Sequence, residues 1–187
     1  MRGYIAFFVK QIDSNLPVYD IRTLEQIDRT QLNQEILFAN FASAFGAAAL
    51  VLVSQEAAAR LGLSPIAAVE SHAFVAGPDV RLHDQPANAI LAALKKVNAG
   101  VEDLAAVEIN EAFAAVAVQS VRTLGISPDI VNTRGGAIAL GHPIGASGAR
   151  IVGTLARQLA EQGSGELGAA GICGGGGQGS ALVLRSL

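Results

Sequence analysis

Three segments of the 187-residue sequence each place a polar or reactive side chain beside an apolar run or a helix start. Asn110 and Cys173 each follow a run of strand length, and His142 lies between a glycine and a proline. Ligands of open α/β sheets bind outside the carboxyl ends of the strands, so we expect the three side chains to share one site. A carboxamide, an imidazole and a thiol together indicate acyl chemistry on a thioester, which needs a nucleophile, a proton acceptor and oxyanion donors.

Each of these residues also has a purely structural interpretation. Asn110 is a favoured helix N-cap, the glycines of segment 135–148 suit close packing of a helix on a sheet, and a buried cysteine is commonly inert. Against this, the four glycines after Cys173 leave backbone N–H groups uncovered, as an oxyanion site requires, and they lack the spacing of a phosphate-binding loop. On the residues alone, Cys173 is the candidate nucleophile and His142 the candidate base.

Strands and helices in alternation must position these residues. Strands separated by helices of ten or more residues predict an α/β fold, a mixed β-sheet with helices on both faces. The helix 111–124 is apolar nearly all round and is expected to lie buried between layers. The predicted strands are Ala48–Val53, Ile66–Val75, Ala105–Ile109, Ile130–Asn132, Ala169–Cys173 and Ala181–Leu184, and the predicted helices are Gln55–Leu61, Ala87–Val97, Glu111–Leu124 and Gly145–Gln162.

The first 40 residues differ from the rest, because they hold most of the polar and aromatic side chains. We predict a leader over residues 1–40, with a strand at 4–9 and a short helix from Thr23, which is too small to fold alone. The main domain is predicted over residues 41–187.

Composition excludes several classes of protein. With 51% apolar and 16% charged residues the chain has material for a buried core. A net charge of −3 provides no basic field for nucleic acid or a membrane surface, and the apolar runs are too short to span a bilayer. The single cysteine favours a reducing, cytoplasmic location. His72 and His83 have no ligand-like neighbours in sequence, so no metal site is expected.

At the same three segments the sequence resembles the C-terminal half of the thiolases, the family of acetyl-CoA acetyltransferases and 3-ketoacyl-CoA thiolases. The matches, in the family's order and spacing, are Asn110–Phe113 (NEAF), Gly135–Arg150 (GGAIALGHPIGASGAR) and Cys173–Gly179 (CGGGGQG). The resemblance implies a βαβαβαββ half, two of which pack face to face in family members. It also implies a CoA thioester as substrate and no cofactor.

The resemblance assigns a role to each candidate. Cys173 matches the family's second cysteine, an acid/base that takes the α-proton of acetyl-CoA in condensation and protonates the leaving carbanion in cleavage. His142 would activate the nucleophilic cysteine and, with a water held by Asn110, form one oxyanion hole. The backbone N–H of Gly175 would contribute to a second. The resemblance thus replaces the nucleophile interpretation of Cys173 with an acid/base role.

The family's nucleophilic cysteine lies in the first half, to which this sequence shows no match. The resemblance therefore implies a subunit that works with a separate N-terminal-half chain carrying that cysteine, in a hetero-oligomer built on a thiolase-like dimer. The methionine start and the self-contained strand–helix pattern favour a natural half-chain, with a truncation as the alternative. An apolar layer should be exposed for the partner.

Two segments depart from the family's pattern. Phe41 and Phe45 stand where the family has a serine and an aspartate, and residues 82–86 replace a G-x-G-P sequence. These departures leave the CoA-binding residues unassigned and favour a second hypothesis, a non-catalytic thiolase-like binding or scaffold subunit. Together with Phe38, the two phenylalanines are predicted to form an apolar face for a partner chain or an unusual acyl group.

Overall fold

The computed structural model describes residues 50–187, which form five helices and four strands. The elements are α1 (Gln55–Leu61), β1 (Ala67–Ala76), α2 (Gln85–Lys96), β2 (Leu104–Ile109), α3 (Ala114–Leu124), α4 (Ala137–Leu140), α5 (Ser147–Gln162), β3 (Leu167–Gly174) and β4 (Gln178–Ser186). The leader predicted over residues 1–40 and the cluster of Phe38, Phe41 and Phe45 lie outside the described residues.

The four strands form one mixed sheet in the order β1–β4–β3–β2. Strands β2 and β3 are parallel, whereas β4 runs antiparallel to both of its neighbours, β1 and β3. A single parallel bridge from Val131 to Val107 continues the sheet beyond β2, at the place where a short extended segment is predicted. The predicted mixed α/β sheet is therefore confirmed, and with the bridge the order of elements is βαβαβαββ. The last two strands, β3 and β4, form a hairpin.

Helices cover the sheet on both faces. On one face α2 and α3 pack over a cluster that includes Ile90, Ile109 and Val183, and on the other α5 packs over a smaller cluster around Leu155 and Leu184. Successive residues of a strand point to opposite faces, so each central strand feeds both clusters. The core thus lies in two layers, one on either side of β3 and β4.

The helix boundaries follow the capping residues. At the start of α1 the Ser54 side chain accepts a hydrogen bond from the Ala57 N–H, and Gly62 ends the helix in the left-handed conformation. Pro86 lies in the first turn of α2, and Lys95 and Lys96 lie in its last turn. The predictions for these helices are confirmed to within about two residues.

The predicted helix 111–124 is wrong in its start, and in the described chain it is buried along one side only. The helix begins at Ala114, because residues 110–113 are drawn into loop contacts, and it buries only Val116, Ser120 and Leu124. Val118, on the outward side, is half exposed. The outer side of the helix therefore belongs to the apolar layer that the sequence predicts to be exposed in this chain.

The predicted strand 48–53 is also wrong where the structure describes it. Residues 50–53 are irregular and lie outside the sheet, and Leu52 is 72% exposed. An apolar run of strand length forms a strand only where a neighbour supplies the ladder of hydrogen bonds, and among residues 50–187 none does so here. The short helix α4, in contrast, was not predicted, since its sequence was interpreted as a glycine elbow.

No helix among residues 50–187 is both long enough and apolar enough to cross a membrane.

Two glycines of β3 let helices approach the sheet closely from both sides. A Cβ on Gly168 would lie 2.8 Å from Leu155 Cδ1 on α5 and 2.9 Å from the Ala106 carbonyl oxygen of β2. A Cβ on Gly171 would lie 2.9 Å from Ile90 Cδ1 on α2. The absence of side chains on this strand therefore sets the spacing between the layers, and through it the position of the strand ends.

Replacing Gly168 with alanine should destabilise the protein, because a backbone oxygen cannot move aside as a side chain does. We expect Gly168→Ala to lower the free energy of unfolding by about 1–3 kcal/mol, measured by urea titration. Gly148→Ala on α5 is the matched control, since a Cβ there meets nothing within 4 Å and alanine favours a helix by about 1 kcal/mol. Equal stability of the two variants would contradict this account of the packing.

Candidate active site

The site lies at the carboxyl edge of the parallel pair β2 and β3. Asn110 follows β2 directly, and its backbone N–H donates to the Gly171 carbonyl oxygen of β3 at 2.9 Å. Cys173 lies two residues further along β3. The expectation that these two strand ends are neighbours is therefore met in the backbone.

His142 is held by two side chains, one on each ring nitrogen. Its Nδ1 lies 2.6 Å from Ser147 Oγ, at the start of α5, and its Nε2 lies 3.5 Å from Asn110 Nδ2. Ser147 Oγ in turn donates to the Pro143 carbonyl oxygen at 3.0 Å. The structure thus brings Asn110 and His142 together, as the sequence predicts.

These contacts select one tautomer of the imidazole. Ser147 has one hydroxyl proton, and the geometry that satisfies both of its contacts sends that proton to the Pro143 carbonyl and accepts one from His142 Nδ1. Nε2 of the neutral ring then carries a lone pair, which matches the Asn110 Nδ2 donor facing it. An Nε2 in this state can take a proton and, once protonated, donate to an oxyanion.

Asn110 is a buried carboxamide with one free acceptor. The residue is 1% exposed, and its Oδ1 has no hydrogen-bond partner among the described residues. A buried carbonyl without a partner costs free energy comparable to a lost hydrogen bond. This side chain is not a helix N-cap, since α3 begins four residues later with no side-chain cap.

Cys173 lies at the same edge but faces the other way. Its side chain is half-buried against the cluster under α2 and α3, whereas Glu108 and Asn110 lie on the α5 side of their strand. No hydrogen bond joins its Sγ to Asn110 or His142. Burial raises the pKa of the Cys173 thiol, outweighing a backbone hydrogen bond that lowers it. Burial therefore favours the neutral thiol of this residue over its anion.

Gly175 opens the turn between β3 and β4. A Cβ at this position would meet nothing within 4 Å, and no described residue accepts a hydrogen bond from its N–H. The next two glycines take positive φ values of 79° and 75°, and the Gly177 carbonyl accepts from Gly77 after β1. The turn is therefore anchored at its far end and leaves the Gly175 N–H available.

One charged residue at the site was missed by sequence reasoning. Glu108 is 2% exposed, and its Oε1 has no hydrogen-bond partner among the described residues. Burial and the Glu111 carboxylate raise the pKa of Glu108 to about 7, while Arg150 and Arg134 act in the opposite direction. A glutamate inside the apolar run of β2 was the available signal, since an acidic residue is seldom fully buried without a reason.

The remaining histidines lie apart from this site. The His72 carbonyl accepts from Lys96 and the His83 carbonyl accepts from Ser120, so both contribute backbone rather than imidazole contacts. Among residues 50–187 no group of three metal-ligating side chains is present.

Comparison with known proteins places these features in a family. Residues 63–186 match the model of the thiolase C-terminal domain. The chain is 57% identical over 141 residues to a probable acetyl-CoA acetyltransferase of Mycobacterium tuberculosis, covering 75% of this chain and 36% of that protein. It is 46% identical over 140 residues to the mitochondrial acetyl-CoA acetyltransferase of Danio rerio, covering 75% and 33%. The chain thus spans about a third of the length of these curated relatives.

Solved structures agree in fold. A thiolase from Ascaris suum in complex with coenzyme A superposes with a TM-score of 0.68 at 43% identity, covering 72% of this chain and 35% of that one. Human mitochondrial 3-ketoacyl-CoA thiolase gives the same TM-score at 34% identity, covering 72% and 34%.

The raised pKa of Cys173 predicts slow alkylation at neutral pH. Only the thiolate reacts with iodoacetamide, so we expect the native chain to react more slowly at pH 7 than a free thiol, by about tenfold for each pH unit of pKa difference. The rate should level off at a higher pH than for the same chain unfolded in urea. As Cys173 is the only cysteine, mass spectrometry reports this reaction alone. A native thiol that levels off at or below the unfolded one would contradict the prediction.

The raised pKa of Glu108 predicts a stability that falls as the pH rises. Between the ordinary value of 4.5 and about 7 the unfolded chain releases this proton while the folded chain keeps it, so stability falls through this window and is flat above it. The side chain of Glu108→Gln cannot ionise. Above pH 7 the free energy of unfolding of this variant should exceed that of the native protein by about 3 kcal/mol, and at pH 4.5 the difference should be smaller.

Urea unfolding at several pH values checks this difference. Glu102→Gln is the control for a lost glutamate at an exposed position. If the Glu108→Gln curve ran parallel to the native one across pH 4.5–8, the buried carboxyl would not be the cause.

Proposed function

This chain belongs to the thiolase family, and we propose that it supplies one half of a thiolase active site for acyl transfer to and from CoA. In this proposal 3-ketoacyl-CoA and CoA are converted to acyl-CoA and acetyl-CoA, or the reverse. His142 is the base and one oxyanion donor, Asn110 binds the water that is the second oxyanion donor, and Cys173 is the acid/base. The observation that carries the proposal is the contact between buried Asn110 and exposed His142 at the sheet edge, with the imidazole fixed by Ser147.

The nucleophile is assigned to a separate polypeptide. This sequence has one cysteine, and its raised pKa suits a proton donor rather than an attacking thiolate. Ile138, Leu140 and Ile144 surround His142 in sequence and are 59–84% exposed. Apolar side chains exposed around a candidate catalytic group support a second chain that covers them and presents its own cysteine to His142.

Cleavage would proceed with each proton accounted for. His142 Nε2 takes the proton of the partner chain's thiol, and the resulting thiolate attacks the 3-keto carbon. The carbon–carbon bond then breaks, and the Cys173 thiol protonates the departing carbanion to give acetyl-CoA. Incoming CoA gives its proton to the Cys173 thiolate and attacks the acyl thioester, so the partner cysteine leaves and recovers its proton from His142.

Oxyanions formed in these steps need fixed donors. Protonated Nε2 of His142 provides one, and a water bound to the free Oδ1 of Asn110 provides another, since that buried acceptor requires a donor. The free N–H of Gly175 is suited to the carbanion formed next to Cys173. The substrate is thus a CoA thioester, with no cofactor in the sequence of steps.

A second function, a non-catalytic binding or scaffold subunit, is favoured by the direction of Cys173. Its thiol packs toward the cluster under α2 and α3 and makes no hydrogen bond to the Asn110–His142 pair. A protein that binds a CoA thioester without turnover would tolerate this separation. The cytoplasmic location predicted from the single cysteine remains a prediction.

Reconstitution with a first-half chain tests the proposal. The full chain is co-expressed with the part of the Mycobacterium tuberculosis relative that precedes the matched 36%, and acetoacetyl-CoA loss is followed in the purified complex. We expect CoA-dependent thiolysis, lowered by about 10²–10³ in kcat by His142→Ala, which removes an oxyanion donor. The single variant Cys173→Ser should lower kcat by more than His142→Ala does, because a serine hydroxyl is a far weaker acid than a thiol.

Two outcomes decide between the functions. His72→Gln, at an exposed position on β1, is the matched control and should keep full activity. Normal turnover with Cys173→Ser would contradict the acid/base role, and a folded complex that binds acetyl-CoA without turnover would favour the scaffold.

A further inference from the structure

The Glu111 carboxylate connects two loops of the site. Its Oε1 accepts a hydrogen bond from Asn132 Nδ2 at 2.9 Å, and its Oε2 accepts one from the Ile138 backbone N–H at 2.9 Å. The first contact is to the segment that follows the Val131 bridge, and the second is to the first turn of α4. One side chain therefore fixes the start of the segment that carries His142.

Asn132 is itself fixed to the end of β2. Its Oδ1 accepts from the Ile109 N–H and its Nδ2 donates to the Ile109 carbonyl, both at 2.8 Å, so the carboxamide substitutes for a strand neighbour. Its backbone has φ of 49°, a conformation that asparagine adopts more readily than most residues. Through Asn132 the Glu111 carboxylate is thus fixed to the end of β2.

A glycine makes room for this carboxylate. A Cβ on Gly136 would overlap the carboxylate carbon and both oxygens of Glu111. The chain therefore leaves out a side chain at the one position where the carboxylate crosses the loop. The space left by Gly136 is an observation independent of the hydrogen bonds, and it places the Glu111 carboxylate at the same point of the loop.

From these contacts we infer that Glu111 and Asn132 are positioning residues that hold His142 at its distance from Asn110. Asn110 and Glu111 are adjacent in sequence. The first faces the ring of His142, and the second holds helix α4, which ends at Leu140, two residues before His142. The dipeptide thus contacts both ends of the segment 138–142, and a shift of Glu111 moves the imidazole relative to the carboxamide.

The two contacts of the Glu111 side chain need a carboxylate, since both of its partners are donors. Asn132 Nδ2 and the Ile138 N–H each require an acceptor, and an ionised Glu111 presents one to each. Glutamine at this position has one acceptor and one donor, so either orientation sets two donors against each other. The isosteric change Glu111→Gln therefore breaks one contact without altering the shape of the side chain.

Nitrogen NMR of the full chain tests the inference without turnover. The sequence has three histidines, so labelled imidazole signals are assigned with His72→Gln and His83→Gln. In mildly alkaline buffer the native His142 should show the single Nδ1–H tautomer. Glu111→Gln should give a mixture of tautomers, because displacement from Ser147 and Asn110 removes the partners that select one.

A second variant sharpens the test. Asn132→Gly removes the carboxamide, and glycine adopts the positive φ freely, so this variant should also give a mixture of tautomers. Glu102→Gln is the control and should leave the native spectrum unchanged. A folded Glu111→Gln or Asn132→Gly variant that keeps the native tautomer would overturn the inference.

The kinetic consequence rests on the proposed function. In the reconstituted complex Glu111→Gln should lower kcat by about 10–100-fold with little change in KM, as is typical for a residue that orients another. A complex without activity in its native form would contradict the proposed function but leave the NMR result intact. An active complex in which Glu111→Gln keeps the native kcat would overturn the positioning role alone.

Discussion

The arrangement of the site depends on an imidazole that is fixed through one nitrogen so that the other is left with a lone pair. The Ser147 hydroxyl donates a hydrogen bond to the Pro143 carbonyl oxygen, so its Oγ can only accept a hydrogen bond from Nδ1 of His142. The serine lies at the first position of α5, and its Oγ is buried within the turn that begins the helix. The identity of the free nitrogen is thus set by a hydroxyl and a backbone carbonyl, and no carboxylate of residues 50–187 forms a hydrogen bond with the ring.

Within two residues of Asn110 in sequence the protein has two carboxyl groups with opposite environments. Glu111 meets two donors and is suited to its charge, while Glu108, buried on the preceding strand, lacks a partner for Oε1 and has its pKa raised to about 7. Burial is the main cause of that rise, and the charge of Glu111 adds to it. The protein therefore loses stability as the pH rises from 4.5 to about 7.

Much of the fold could be predicted from the sequence, because apolar runs, capping residues and glycines act locally. The strands around Asn110 and Cys173 and the helices begun by Pro86 and Ser147 are within a few residues of their predicted bounds. The location of Asn110 and His142 at one edge also followed from strand ends. Contacts between distant segments were not predictable: the Glu111 bridge to Ile138 spans 27 residues and follows no periodicity. The direction of Cys173 was missed for the same reason, as it depends on which cluster its strand end packs against.

The position of β4 in the sheet has a consequence for synthesis on the ribosome. Among residues 50–187, β1 meets the rest of the sheet only through β4, and residues 76 and 178, which pair at one end of that ladder, are about a hundred residues apart in the chain. During translation β1 emerges early and waits with an unpaired edge, while the closing strand is still being made. Such delayed, non-local pairing slows folding and leaves a strand edge open to wrong partners, so this topology places the nascent chain in need of protection until its final hairpin appears.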